Sequence, residues 1–196
     1  MKIMGLKKNR QSRKLLKTYL YLAGFISSII LFYGCTASSH SGTAAVNWKH
    51  INVLVFTKNG KGYVHDNIPS AVASIQRLGK QNGFGVQVSD DPVVFNEANL
   101  KKYNALIFTS TNNDVFDSDA QKVAFMRSTQ AGGGFIGIHS ATGTERKWPW
   151  FIRLVGGTFV RHANRQAFQE IIIDSTNVST SFLPRRWNVN DECYYT

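Results

Sequence analysis

The sequence predicts a doubly wound, mostly parallel α/β domain of the flavodoxin-like or class I glutamine amidotransferase-like kind. Two observations carry this. Unbroken apolar runs at 51–56 (INVLVF) and 105–109 (ALIFT) read as strands buried on both faces of a sheet. Each is followed by a polar loop and then a segment of helical period, the alternation that βαβ units require.

After the first strand comes the polar, glycine-containing loop 58–66 (KNGKGYVHD). Ile68, Ala71, Val72, Ile75 and Leu78 then recur at helical spacing, with Pro69 in the permissive first turn and Gly83 near the exit. Residues 84–88 read as a short second strand and 96–102 as a short helix. Beyond the third strand, Ser118 and Gln121 form a capping-box pattern opening a helix to Gln130, and Gly132, Gly133 and Gly134 close it. Residues 135–138 (FIGI) read as a fourth strand, 158–161 as a short strand-like piece and 169–174 (QEIIID) as a further strand.

The first 34 residues read as an export signal. A basic stretch leads into an apolar run from Tyr19 to Tyr33, then Gly34 and Cys35, then small polar residues. Cys35 after a small residue fits a lipoprotein cleavage site, and two or more acyl chains on it would hold the chain at a membrane. The apolar run is shorter than the roughly 20 residues a bilayer core requires. Residues 35–48 are then a lipid anchor and tether, and 49–196 the domain. The expected location is an exported, membrane-anchored lipoprotein facing the periplasm or cell surface.

The net charge of +11 over 196 residues is concentrated at the start. Seven of the 23 Lys and Arg precede Cys35, leaving 16 basic against 12 acidic residues afterwards. A nucleic-acid partner is therefore not expected. With Cys35 lipidated, Cys193 has no intramolecular partner and reads as a small buried hydrophobe.

Ligands of open α/β sheets bind beyond the carboxyl ends of the strands. Those loops carry Lys58, Tyr63, His65 and Asp66 after the first strand, Ser110 to Asp114 after the third, and His139, Ser140, Thr142, Thr144 and Glu145 after the fourth. Imidazoles and a carboxylate there suit a general acid, a general base or metal ligands. Trp148 and Trp150 either stack on a sugar face or pack a helix onto the sheet. His162, between Arg161 and Arg165, either assists a ligand or belongs to a solvated basic turn.

The glycines at 132–137 enter a strand from a helix, the reverse of a phosphate cradle, and no Walker A, CxxC or HExxH pattern is present. At the corner Gly137-Ile138-His139-Ser140-Ala141, a histidine stands where a nucleophile elbow has its nucleophile, so no such elbow is expected.

The segments VLVFTKNGKGYVHDNIPSAV, SDDPVVF and AGGGFIGIHSATGTERKWPWFIRLVGGTF, with the late pair Asp191 and Glu192, resemble the ThuA-like, trehalose-utilisation family, a branch of the class I glutamine amidotransferase-like fold. The resemblance spans about Ile51 to Tyr195. It implies catalytic roles for His139, His65, Asp191 and Glu192, and the loop positions themselves make Lys58, Tyr63, Glu145, Trp148 and His162 the expected substrate contacts. It also implies that amidotransferase cysteine chemistry is absent and that the substrate is a disaccharide or 3-keto-glycoside, acted on by a lyase, isomerase or hydrolase. His139 or Glu192 would remove a proton beside a C3 carbonyl while His65, Lys58 or a bound divalent ion polarises the oxygen. The metal requirement stays open.

The resemblance further implies strands and a closing helix beyond Thr196, so the chain is expected to be short at its C-terminus, with a sheet edge bare. A non-catalytic carbohydrate-binding module and an inactive fragment are the other two readings.

Overall fold

A computed structural model describes residues 46–196. The expected export signal, Cys35 and most of the expected tether lie outside the described residues. Among those described, no helix is long and apolar enough to cross a membrane.

Four parallel strands form the sheet: β1 (Asn52–Phe56), β2 (Gly85–Ser89), β3 (Ala105–Thr109) and β4 (Gly134–Ile138), in the order β2-β1-β3-β4. The register pairs Val53 with Val86 and Ala105, and Ile107 with Ile136. Alternation along β1 and β3 sends side chains to both faces, which is why Val53–Phe56 and Ala105–Phe108 are continuously apolar. Leu54, Phe56, Leu106 and Phe108 enter one cluster, while Val53, Val55 and Ile107 enter the other.

The second cluster is closed by helix α1 (Ile68–Asn82) through Ile75. Here the apolar stripe differs from its expected path, because Leu78 is 48% exposed. Gly79, four residues after Ile75, is the packed position. A Cβ there would meet a Val86 methyl at 2.6 Å, so glycine permits the close approach of α1 to β2.

The first cluster is closed by α2 (Glu97–Leu100), α3 (Asp119–Gln130) and α4 (Pro149–Val155). Phe56, Phe95, Phe108, Phe125 and Phe151 are nearly fully buried in it, each worth roughly 1.5–3 kcal/mol of burial. Helices thus lie on both faces of a parallel sheet, as expected, with β1 and β3 at the switch point of the strand order.

The capping box at α3 forms in altered shape. The Ser118 hydroxyl accepts from the Gln121 amide at 3.4 Å, but Gln121 Oε1 accepts from the Asp117 amide at 2.7 Å, one residue before the usual donor.

The chain beyond α4 differs most from expectation. Of 158–161 only Arg161 joins a strand, β5 (Arg161–His162), which pairs antiparallel with β8 (Tyr194–Tyr195). The strand expected at 169–174 runs three residues earlier, as β6 (Gln166–Ile171), paired antiparallel with β7 (Arg186–Asp191). Asp174 accepts from the amides of Thr176 and Asn177, and that turn ends the extended run. Cys193 is half-buried rather than fully enclosed. Among the described strands β4 is a sheet edge, and its Ile136 is 49% exposed.

Candidate active site

The loops at the carboxyl ends of β1, β3 and β4, joined by the β5–β8 ribbon, enclose a cavity of about 490 Å³. His65 enters from the β1 loop, Asn112 from the β3 loop, and His139, Ser140 and Arg146 from the β4 loop. The ribbon contributes His162 and Tyr194, and the link from β7 to β8 contributes Glu192.

The loops are strained in a concentrated way. Ser110, Asn113, His139 and Glu145 all hold positive φ, between 47° and 59°, and all four follow β3 or β4. Such a backbone is costly for a non-glycine residue, and these outliers cluster where a site requires them. His139 is the sharpest case, with φ 52° and ψ −106°, between strand β4 and a short 3₁₀ turn at Ser140–Gly143.

That geometry corrects one sequence expectation. The elbow backbone is present, although no serine or cysteine occupies its tip. Gly137, two residues before the tip, and Ala141, two after it, are the small residues the turn demands: a Cβ on Gly137 would lie 2.7 Å from the Ala141 Cβ. The elbow raises the His139 imidazole into the cavity, edge to face with His65 at a centroid distance of 4.4 Å.

Hydrogen bonding assigns the His65 tautomer. Ser140 Oγ lies 2.9 Å from the Thr111 carbonyl oxygen, which can only accept, so the single hydroxyl hydrogen is committed there. The same Oγ is 3.3 Å from His65 Nδ1 and must accept from it. His65 therefore carries its proton on Nδ1 and keeps a lone pair on Nε2. Ser140 is a positioning group, its proton directed away from the ring.

Burial is the largest cause holding the His65 pKa below the ordinary 6.5, followed by repulsion from His139; Asp66 and Glu192 pull weakly the other way. Both leading causes favour a neutral ring at neutral pH. On the opposite wall, Tyr194 donates its hydroxyl to Glu192 Oε2 at 2.6 Å, and the Glu192 Oε1 is 3.6 Å from His162 Nδ1. Desolvation and that carboxylate push the Tyr194 phenol well above its usual range.

Of the residues singled out from sequence, His65, His139, Glu192, Tyr63 and His162 line the cavity, as do Asn112, Ser140 and Thr142 from the same loops. Five further candidates are placed elsewhere. Lys58 is bonded to Asp117 at 2.5 Å. Glu145 is 1% exposed, accepts from the amides of Val115 and Phe116 at 2.9 and 3.2 Å, and pairs with Lys122 at 2.7 Å. It ties the β3 loop to the β4 loop. Trp148 and Trp150 pack against the phenylalanine cluster, Trp148 with Phe116 and Phe151, and Trp150 with Phe125. Asp191 ends β7 and accepts from the Glu192 amide, outside the cavity lining.

Sequence reasoning missed Arg146, Phe159 and Tyr194. Arg146 directly follows Glu145 in a loop that the sequence marks as a site loop, and Tyr194 lies two residues from Glu192, the spacing that puts side chains on one face of a strand. Phe159 carried no signal. Among the described residues, no group of three or more His, Cys, Asp or Glu is arranged to hold a metal ion.

A β2-β1-β3-β4 parallel sheet with helices on both faces and a strained elbow after β4 makes this a doubly wound α/β domain, here with imidazole at the elbow tip. Within that class the chain belongs to the ThuA family, described as trehalose utilisation, whose profile matches residues 52–196. A solved structure described as a ThuA-like protein from Bacteroides uniformis ATCC 8492 shares the fold, with a TM-score of 0.62 at 21% identity. The alignment covers 76% of this chain and 62% of that one, so this chain spans about three fifths of that protein's length. No curated protein matches. The family description points to a role in sugar catabolism.

Proposed function

We propose that the cavity is an acid/base site acting on a sugar, in which His65 and His139 move a proton at a carbon beside a carbonyl group. One observation carries this reading: two imidazoles in edge contact at 4.4 Å, one of them with its base nitrogen assigned by Ser140. A neutral His65 Nε2 accepts the proton, with the His139 ring at its edge as the neighbouring donor. A neutral acceptor beside a donor is what an enolisation at a keto-glycoside needs, and the family's link to trehalose utilisation supports a disaccharide or 3-keto-glycoside as substrate.

Glu192 and Tyr194 complete the wall against the sugar hydroxyls, and Tyr63, packed edge to face on His65 at 4.8 Å, shields its ring. Lys58, tied to Asp117, has no part in the step. Turnover of a 3-keto-glycoside should be lost in His139→Ala with the near-ultraviolet circular dichroism retained; unchanged turnover overturns the assignment.

Export and lipid attachment at Cys35 belong to the same proposal, since they place the domain where extracellular or periplasmic sugars arrive. They rest on the sequence of the first 35 residues. Labelling of the full chain with a radioactive fatty acid, abolished by Cys35→Ser, tests them; a labelled serine variant overturns the attachment site.

A further inference from the structure

Arg146 is the one cavity-lining group with a permanent positive charge, and among the described residues it has no carboxylate partner. Two neutral acceptors hold it. Its Nε donates to the Gly143 carbonyl at 2.9 Å and its Nη2 to Asn112 Oδ1 at 3.0 Å, while the guanidinium carbon lies 5.3 Å above the Phe159 ring centroid. The head is oriented by three elements of the site while its charge stays uncompensated and three of its five N–H groups stay unassigned. The cavity carboxylate, Glu192, is engaged instead by Tyr194 and faces His162.

We propose that Arg146 makes this cavity selective for a sugar bearing an anionic oxygen. The oxygen has two chemical sources: a carboxylate already present, as in a sugar acid, or an oxyanion that develops on a carbonyl when the histidine pair withdraws the neighbouring proton. Both present the planar or developing negative charge that a pre-oriented guanidinium binds through charge-assisted hydrogen bonds. The inference rests on the cavity being a sugar site, and its test reads binding rather than turnover.

The full-length chain is titrated with glucose, glucuronate and a hydroxamate of a sugar acid, a planar mimic of the oxyanion, followed by tryptophan fluorescence or calorimetry. The titrations are run at pH 8, above the ordinary imidazole range. At least one anionic probe should bind about tenfold or more tightly than glucose. Preference for glucuronate assigns a ground-state carboxylate; preference for the hydroxamate alone assigns the reaction's own oxyanion. Arg146→Gln should erase the preference, and Arg146→Lys, which keeps the charge but not the fork, should keep a reduced part of it. Equal affinity for all three probes in the wild type overturns the proposal whatever the variants do, as does a preference that survives in a folded Arg146→Gln. A chain that binds none of the three overturns the sugar site itself and this inference with it.

Discussion

Gly137 and Ala141 face each other across the turn that carries His139, so closely that a Cβ on the glycine would stand 2.7 Å from the alanine methyl. The approach lets the chain leave β4, reverse through a left-handed residue and start the 3₁₀ turn within three positions. A substitution there tests whether the elbow is a constraint of the fold. Gly137→Ala should cost about 1–3 kcal/mol through overpacking and lower the melting temperature by several degrees. It should also displace the His139 ring, read as a changed His139 chemical shift. An unchanged melt would mean the turn relaxes freely.

Glu145 is the buried carboxylate of the loop system, and its function is to hold the β3 loop against the β4 loop. Removing it leaves two buried amides and the Lys122 ammonium without their acceptor. Glu145→Ala should therefore destabilise the domain by about 2–4 kcal/mol. Chemical denaturation with an unchanged slope checks this, and a loss below about 0.5 kcal/mol would contradict the role.

Lys58 provides the contrast. Its partner Asp117 is 64% exposed, and such pairs contribute about 0–1 kcal/mol. Lys58→Ala should leave both the melt and sugar affinity nearly unchanged. A large loss of affinity would return Lys58 to the site.

His65 sets the pH dependence. Its native pKa lies below the ordinary 6.5, so between the two values the unfolded chain binds more protons. The stability this ring allows above that window is lost as pH falls through it, and the neutral base is lost over the same range. The acidic limb of activity should therefore sit below pH 6.5. In His139→Asn, repulsion between the rings disappears while burial remains, so the His65 midpoint should rise part of the way towards 6.5. A proton NMR titration of the two rings decides it; an unmoved or falling midpoint contradicts the coupling.

Much of this was legible in the sequence. Val53–Phe56 in β1 and Ala105–Phe108 in β3 are apolar at consecutive positions because both faces are covered, and runs of this length flanked by polar residues are too short for a buried helix. The histidines were legible because they follow strands. Glu145 and Trp148 were misplaced for a physical reason: a carboxylate or an indole in a site loop has the same letter whether it points inward to bind backbone amides or outward to a ligand. The elbow was hidden because its signature is a backbone angle at His139. Strand β6 was displaced because its register is fixed by pairing with β7, where Ile171 meets Arg186 across an intervening loop.

The central claim is that His65 and His139 act as one proton-transferring pair. The most direct measurement is wash-in of deuterium from heavy water into the position beside the carbonyl of a 3-keto-glycoside, followed by mass spectrometry, for the wild type, His65→Ala, His139→Ala and the double variant. Exchange by the wild type should fall by about 10²–10⁴-fold in each single variant, with no further comparable loss in the double. Exchange that persists in either folded single variant, or losses that multiply in the double, would contradict it.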